Sequence, residues 1–217
     1  MRLHGLTLWL GLSMFCLAAC APSDMRLPYP AWKIGFFAPY NMEVWTEAVS
    51  VEDMSGHLFS GMEPGVVSMA YPRDSAAWPK SIPIGKGREV TGAALPKRVY
   101  VRWQSLVEPQ TYSVVLEIPE RARRLMLGPP VRDMPGAGPD GDKYYYNDLS
   151  IGLAPGGIVR VWVNGIARRP QPVLCVKAQV EPKGPDQGRY GGRYVTLPAE
   201  SQAYLRHHSI PYGSWGC

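Results

Sequence analysis

The clearest alternation of apolar and polar positions falls at residues 150–165, Ser-Ile-Gly-Leu-Ala-Pro-Gly-Gly-Ile-Val-Arg-Val-Trp-Val-Asn-Gly. It predicts a short strand, a tight turn at Pro155, Gly156 and Gly157, and a longer strand. In that longer strand Val159, Val161 and Val163 share one face, and Ile158, Arg160, Trp162 and Asn164 share the other. Proline presets φ and the glycines accept positive φ, so the chain can reverse within a few residues. Strands are also predicted over 98–104, where Val99, Val101 and Trp103 share a face, and over 111–118, where Tyr112, Val114, Leu116 and Ile118 do. The short connection through Glu108, Pro109 and Gln110 makes these two an antiparallel pair. Residues 31–38 read as an earlier strand stopped by Pro39, 43–52 as its successor, and 66–71 as a weaker strand. In 172–180, Leu174, Val176, Ala178 and Val180 form one face, opposite Cys175, Lys177 and Gln179.

Two stretches carry helical signals instead. Residues 119–126 open on proline, with acid at the start and base at the end, and 198–208 precede Pro211. The sum is a mainly β chain, an antiparallel β-sandwich or strongly bent sheet with two short helices.

The first residues follow a different rule. Arg2 is followed by an apolar run over 6–17, too short to span a bilayer, and Leu17-Ala18-Ala19 leads into Cys20. This pattern resembles the bacterial lipobox, beside the alternatives of an ordinary secretory signal or an uncleaved anchor. The resemblance implies a signal peptide over 1–19 and lipidation of Cys20. It further implies a tether over 20–30 and one β-rich periplasmic domain over 31–217. Acyl chains hold a protein on a bilayer without crossing it. Ala21, Pro22 and Ser23 lack the aspartate that commonly retains such proteins at the inner membrane, so the expected address is the outer membrane, facing the periplasm.

Without Arg2 the chain has 22 basic and 18 acidic residues, a net charge of +4, spread along its length. That balance does not call for nucleic acid as a partner. Cys16 leaves with the leader and Cys20 is the acyl acceptor, so Cys175 and Cys217 remain. In an oxidising compartment they are expected to form a disulfide, the alternative being two free thiols.

Reactive constellations are missing from the sequence. There is no Gly-x-Ser-x-Gly elbow. His207 and His208 are adjacent and project apart, which suits the end of a helix better than a metal. Asp140-Gly-Asp142 begins like a calcium loop, but Tyr144, Tyr145 and Ile151 stand at the next required positions. Gly85-Lys86-Gly87 lacks the context of a phosphate loop. No catalytic residue, metal or cofactor is predicted, and the chain does not read as an enzyme.

Two loops are candidates for contact with a partner. Residues 72–83 carry Trp78, either a plug beneath the loop or an exposed anchor. Residues 128–148 end in Asp140, Asp142, Tyr144, Tyr145 and Tyr146. Clustered tyrosines supply contact area at low entropic cost, and long loops in compact domains are often functional. The tyrosines could equally open the next strand and pack under the loop.

The leader, Trp103-Gln-Ser-Leu-Val-Glu-Pro-Gln-Thr-Tyr112 and the Gly-Leu-Ala-Pro-Gly-Gly run with its Val-x-Val-Trp strand together resemble an uncharacterised family of bacterial lipoproteins, domain of unknown function 2931. Such lipoproteins look like proteins found beside phospholipase effectors of type VI secretion systems. The resemblance implies an immunity role, with a lipid-anchored binder holding a secreted phospholipase through the tyrosine loop. The alternative is a general envelope lipoprotein with a structural or small-ligand role.

Overall fold

Alternating sequence becomes two facing sheets. The structure is a computed structural model describing residues 26–60, 64–68, 76–131 and 143–217. In chain order the strands are β1 (Ala31–Phe37), β2 (Val44–Asp53), β3 (Leu58–Ser60), β4 (Gly65–Val67), β5 (Lys86–Thr91), β6 (Pro96–Ser105) and β7 (Gln110–Glu117), followed by helix α1 (Glu120–Met126). After it come β8 (Asp148–Ala154), β9 (Ile158–Asn164), β10 (Gln171–Lys177), β11 (Gln179–Val180) and helix α2 (Ala199–Leu205). One sheet is ordered β10-β9-β8-β1-β5 and the other β11-β7-β6-β2-β3, with β4 beside β2. The architecture is mainly β and sandwich-like, with helices at its margins.

The hairpin of the opening pattern forms as read. Ile151 pairs with Val161, and Gly156 and Gly157 take φ of 75° and 73° in the turn. Val159, Val161 and Val163 are fully buried between the sheets with Leu149, Ile151 and Leu153. Trp32, Ile34 and Phe36 join them from β1, and Val99, Val101, Trp103 and Leu116 meet them from the other sheet.

Four details refine that reading. β1 and β8 run parallel, Ile34 opposite Leu149, so the first sheet is mixed rather than purely antiparallel. The chain crosses to the second sheet and back between these strands, and so can return in the same direction. The polar sequence Lys-Gly-Arg-Glu-Val-Thr forms the edge strand β5, whose low apolar content hides it from a pattern reading. The 172–180 strand breaks at Ala178: β10 stays in the first sheet, whereas β11 pairs with β7 in the second. Ala178 donates its N–H to the Gly157 carbonyl at 2.7 Å and makes the corner. Finally, α2 ends at Leu205 rather than 208, with the His208 imidazole stacked on Tyr204 and its Nδ1 2.9 Å from the Tyr204 carbonyl.

The outer face of the first sheet is also covered. Phe37, Ile82 and Trp162 are buried there, and Trp78 packs edge-on against Phe37 and Trp162 with centroids at 5.7 and 5.2 Å. Its indole N–H donates to the Trp215 carbonyl at 3.2 Å, so this residue is a plug. The position opposite must be glycine: a Cβ on Gly152 would lie 2.4 Å from the Trp78 ring.

Strand direction defines two ends. One end, here called the tether end after the tether expected over 20–30, gathers the starts of β1, β6 and β8, the finishes of β2, β5, β7 and β9, and α1, whose Ala122 and Met126 close the core. Asp53 knits it together. Its carboxylate accepts from the Ser55 N–H at 2.8 Å, the Ser55 hydroxyl at 2.6 Å, the His57 N–H at 2.9 Å and the Ala94 N–H at 3.0 Å. Burial works against the charge, but these donors outweigh it and hold the carboxyl below its ordinary value. A depressed folded value means stabilisation that is whole above the usual carboxylate range and is lost as pH falls through the folded value. Asp53→Ala is therefore expected to cost about 2 kcal/mol at neutral pH. In urea unfolding the gap to wild type should shrink on acidification; a gap constant with pH would show that the charge contributes nothing.

Candidate functional site

The predicted contact residues divide. Cys20, Asp140 and Asp142 lie outside the described residues, and Tyr144, Tyr145 and Tyr146 lead into β8 at the tether end. Tyr144 forms an isolated bridge with Val131, its N–H donating at 3.1 Å and its carbonyl accepting at 2.9 Å. The Tyr145 ring meets Tyr29 edge-on at 5.3 Å. The Tyr146 hydroxyl donates to the Arg169 carbonyl at 2.9 Å, and the Arg168 guanidinium sits over its ring at 4.7 Å. All three are half-buried, and Tyr145 and Tyr146 pack against the main core. Their backbone approaches closely enough that a Cβ on Gly165 would lie 2.1 Å from the Tyr145 carbonyl.

Around the tyrosines the electrostatics are mild. Burial raises Asp148, and Lys33 pulls it partly back; burial and then the Asp148 charge raise Tyr29. These are packing effects on a carboxyl and a phenol. Among the described residues no three of His, Cys, Asp and Glu gather in a way that could hold a metal.

Cys175 and Cys217 are bonded, with Cα atoms 5.5 Å apart and a separation of 42 positions in sequence. This is the pairing that cysteine usage predicted. The bond fastens the last segment of the chain across the outer face of the first sheet, where Trp215 is fully buried against Met42 and Ala154.

Sequence reading missed a polar cluster on the outer face of the second sheet. Arg102 and Glu47 form an ion pair at 2.5 Å, their side chains only 4% and 5% exposed. Glu47 also accepts from the Gln104 amide at 2.9 Å and the Asp186 N–H at 2.8 Å, while Arg102 donates to the Gly184 carbonyl at 2.7 Å. The lid over this pair is the glycine-rich segment 183–195, in which Asp186, Gln187 and Tyr190 take positive φ. Residues 102 and 104 alternate with the buried face of β6, a pattern that by itself signals solvent.

No helix among the described residues is long and apolar enough to cross a membrane. The family described as a protein of unknown function, DUF2931, matches residues 19–213. No curated protein and no solved structure matches the chain.

Proposed function

The chain belongs to the DUF2931 family, and we propose that it is a lipid-anchored envelope protein, attached through Cys20, that binds a protein partner. The partner class we infer is a secreted phospholipase of a type VI secretion system, which the protein neutralises from the outer membrane, facing the periplasm. The observation that carries this reading is positional: Tyr144–Tyr146 lie at the end where the chain arrives from Cys20. Six residues, 21–26, separate that cysteine from Leu27, at most about 25 Å of chain. A binder so tethered keeps its contact loop where a lipid-cleaving enzyme must work, and confinement raises its effective concentration. No reactive cluster is needed for such a role. Asp140 and Asp142 precede the tyrosines and are proposed to take part in the same contact.

Because Tyr145 and Tyr146 also support the core, the test uses their neighbours. The protein is used to capture partners from an envelope extract containing the cell's own secreted phospholipases, and is compared with Lys143→Glu/Tyr144→Ala. Capture of a phospholipase, weakened about tenfold or more in the variant, is expected. Failure to retain a phospholipase shown to be present in the extract would refute the reading.

A further inference from the structure

We propose that the tether end of the sandwich is a docking face for an anionic phospholipid bilayer; only its orientation rests on the Cys20 anchor proposed above. Four large apolar side chains stand exposed there, on four separate segments. Met54 lies in the turn after β2, Leu58 (74% exposed) opens β3, Leu127 caps α1, and Ile166 (66% exposed) lies between β9 and β10. Met54 and Leu127 line a mainly apolar cleft of about 60 Å³ together with Leu27, Leu95 and the Glu120–Arg123 pair. Leu27 belongs to the tether itself.

The charges at this end fit the same surface. Lys97 and Arg98 pair with Glu52, and Arg123 pairs with Glu120, so these two acids are already engaged. Arg26, Arg121, Arg124, Lys143 and Arg169 are exposed and form no ion pair among the described residues. Apolar tips ringed by unpaired cations match the boundary between acyl chains and anionic headgroups: the tips enter hydrocarbon while guanidinium groups stay at phosphate level. The short reach of residues 21–27 would hold this end, and no other, against the headgroups.

Two measurements test the face. In the first, the mature chain is exported behind a conventional cleavable signal with Cys20→Ser, so that it carries no acyl group at that position, and is mixed with vesicles of phosphatidylcholine alone or with added phosphatidylglycerol. Binding is expected only to the anionic vesicles, reversed by salt, and about thirtyfold weaker in Arg121→Gln/Arg124→Gln. In the second, the protein carrying its natural Cys20 is labelled with a fluorophore at Leu127→Cys, Ile166→Cys or, beside the Gly156 turn at the opposite end, Tyr212→Cys. Lipid-borne nitroxides should quench the first two probes and spare the third. Equal binding to both vesicle types, or equal quenching at all three positions, would overturn the docking face. The intact mass of the N-terminal peptide reports acylation separately. An unmodified Cys20 would remove the anchor while leaving the vesicle result to judge the face.

Discussion

Glu47→Leu is expected to lower folding stability by about 3–5 kcal/mol, one of the two largest effects of any substitution considered. The cost comes from what remains behind: Arg102, 4% exposed, would keep a buried charge without its counter-ion. Glu181, 3.7 Å from the guanidinium, is a distant substitute. The lid adds to the loss. Asp186, Gln187 and Tyr190 hold φ of 48°, 58° and 53°, each conformation costing about 1–2 kcal/mol for a residue with a side chain. Contacts to Glu47 and Arg102 offset that strain, so removing the carboxylate should loosen 183–195 as well as destabilise the whole. The double variant Glu47→Leu/Arg102→Met is expected to recover most of the global stability, since an apolar pair avoids desolvating two charges. It should not recover protection of the lid against amide exchange. Urea unfolding with exchange measured on both variants separates the two effects. A single variant within about 1 kcal/mol of wild type would show that water already screens the pair.

That pair marks where the sequence stops being legible. Alternation located β1, β2, β6, β7 and the β8–β9 hairpin because each has one face in a common core, and period-two patterning reports that burial directly. The covering of the opposite faces left no such trace. Trp162 and Arg102 sit on faces that alternation assigns to solvent, yet one is buried under Trp78 and the other under a glycine-rich segment. Both coverings come from irregular chain, and irregular chain has no period. β5 escaped for a related reason: an edge strand with glycine at position 87 needs little apolar surface, because its backbone nestles against β1 so closely that a Cβ on Gly87 would lie 2.3 Å from the Ile34 carbonyl. The tyrosines were legible as contact residues but not by partner, since composition cannot say whether an aromatic ring meets its own core or another protein. In the structure Tyr145 and Tyr146 meet their own core.

Cys217→Ser is expected to cost about 4 kcal/mol, the chain-entropy value for a loop of this size. The loop spans 42 residues, from β10 to the last residue, and so constrains the unfolded chain across the entire lid and α2. The native consequence is more local. Residues 198–217 form a strap over the outer face of the first sheet, held by Trp215 in its pocket and by the Trp78 indole on the Trp215 carbonyl. Tyr204, Leu205 and Ile210 pack half-buried on the same cluster. With the bond cut, this modest apolar contact must hold the strap alone, whereas the core between the sheets is untouched. Reduction should therefore open the strap before it unfolds the domain, and limited proteolysis of the reduced protein should cut near α2 while the two sheets survive. In oxidised wild type neither cysteine should react with a thiol reagent after denaturation. Identical urea midpoints for the oxidised and reduced protein would instead mean that Trp215 and its neighbours fix the strap without help from the bond.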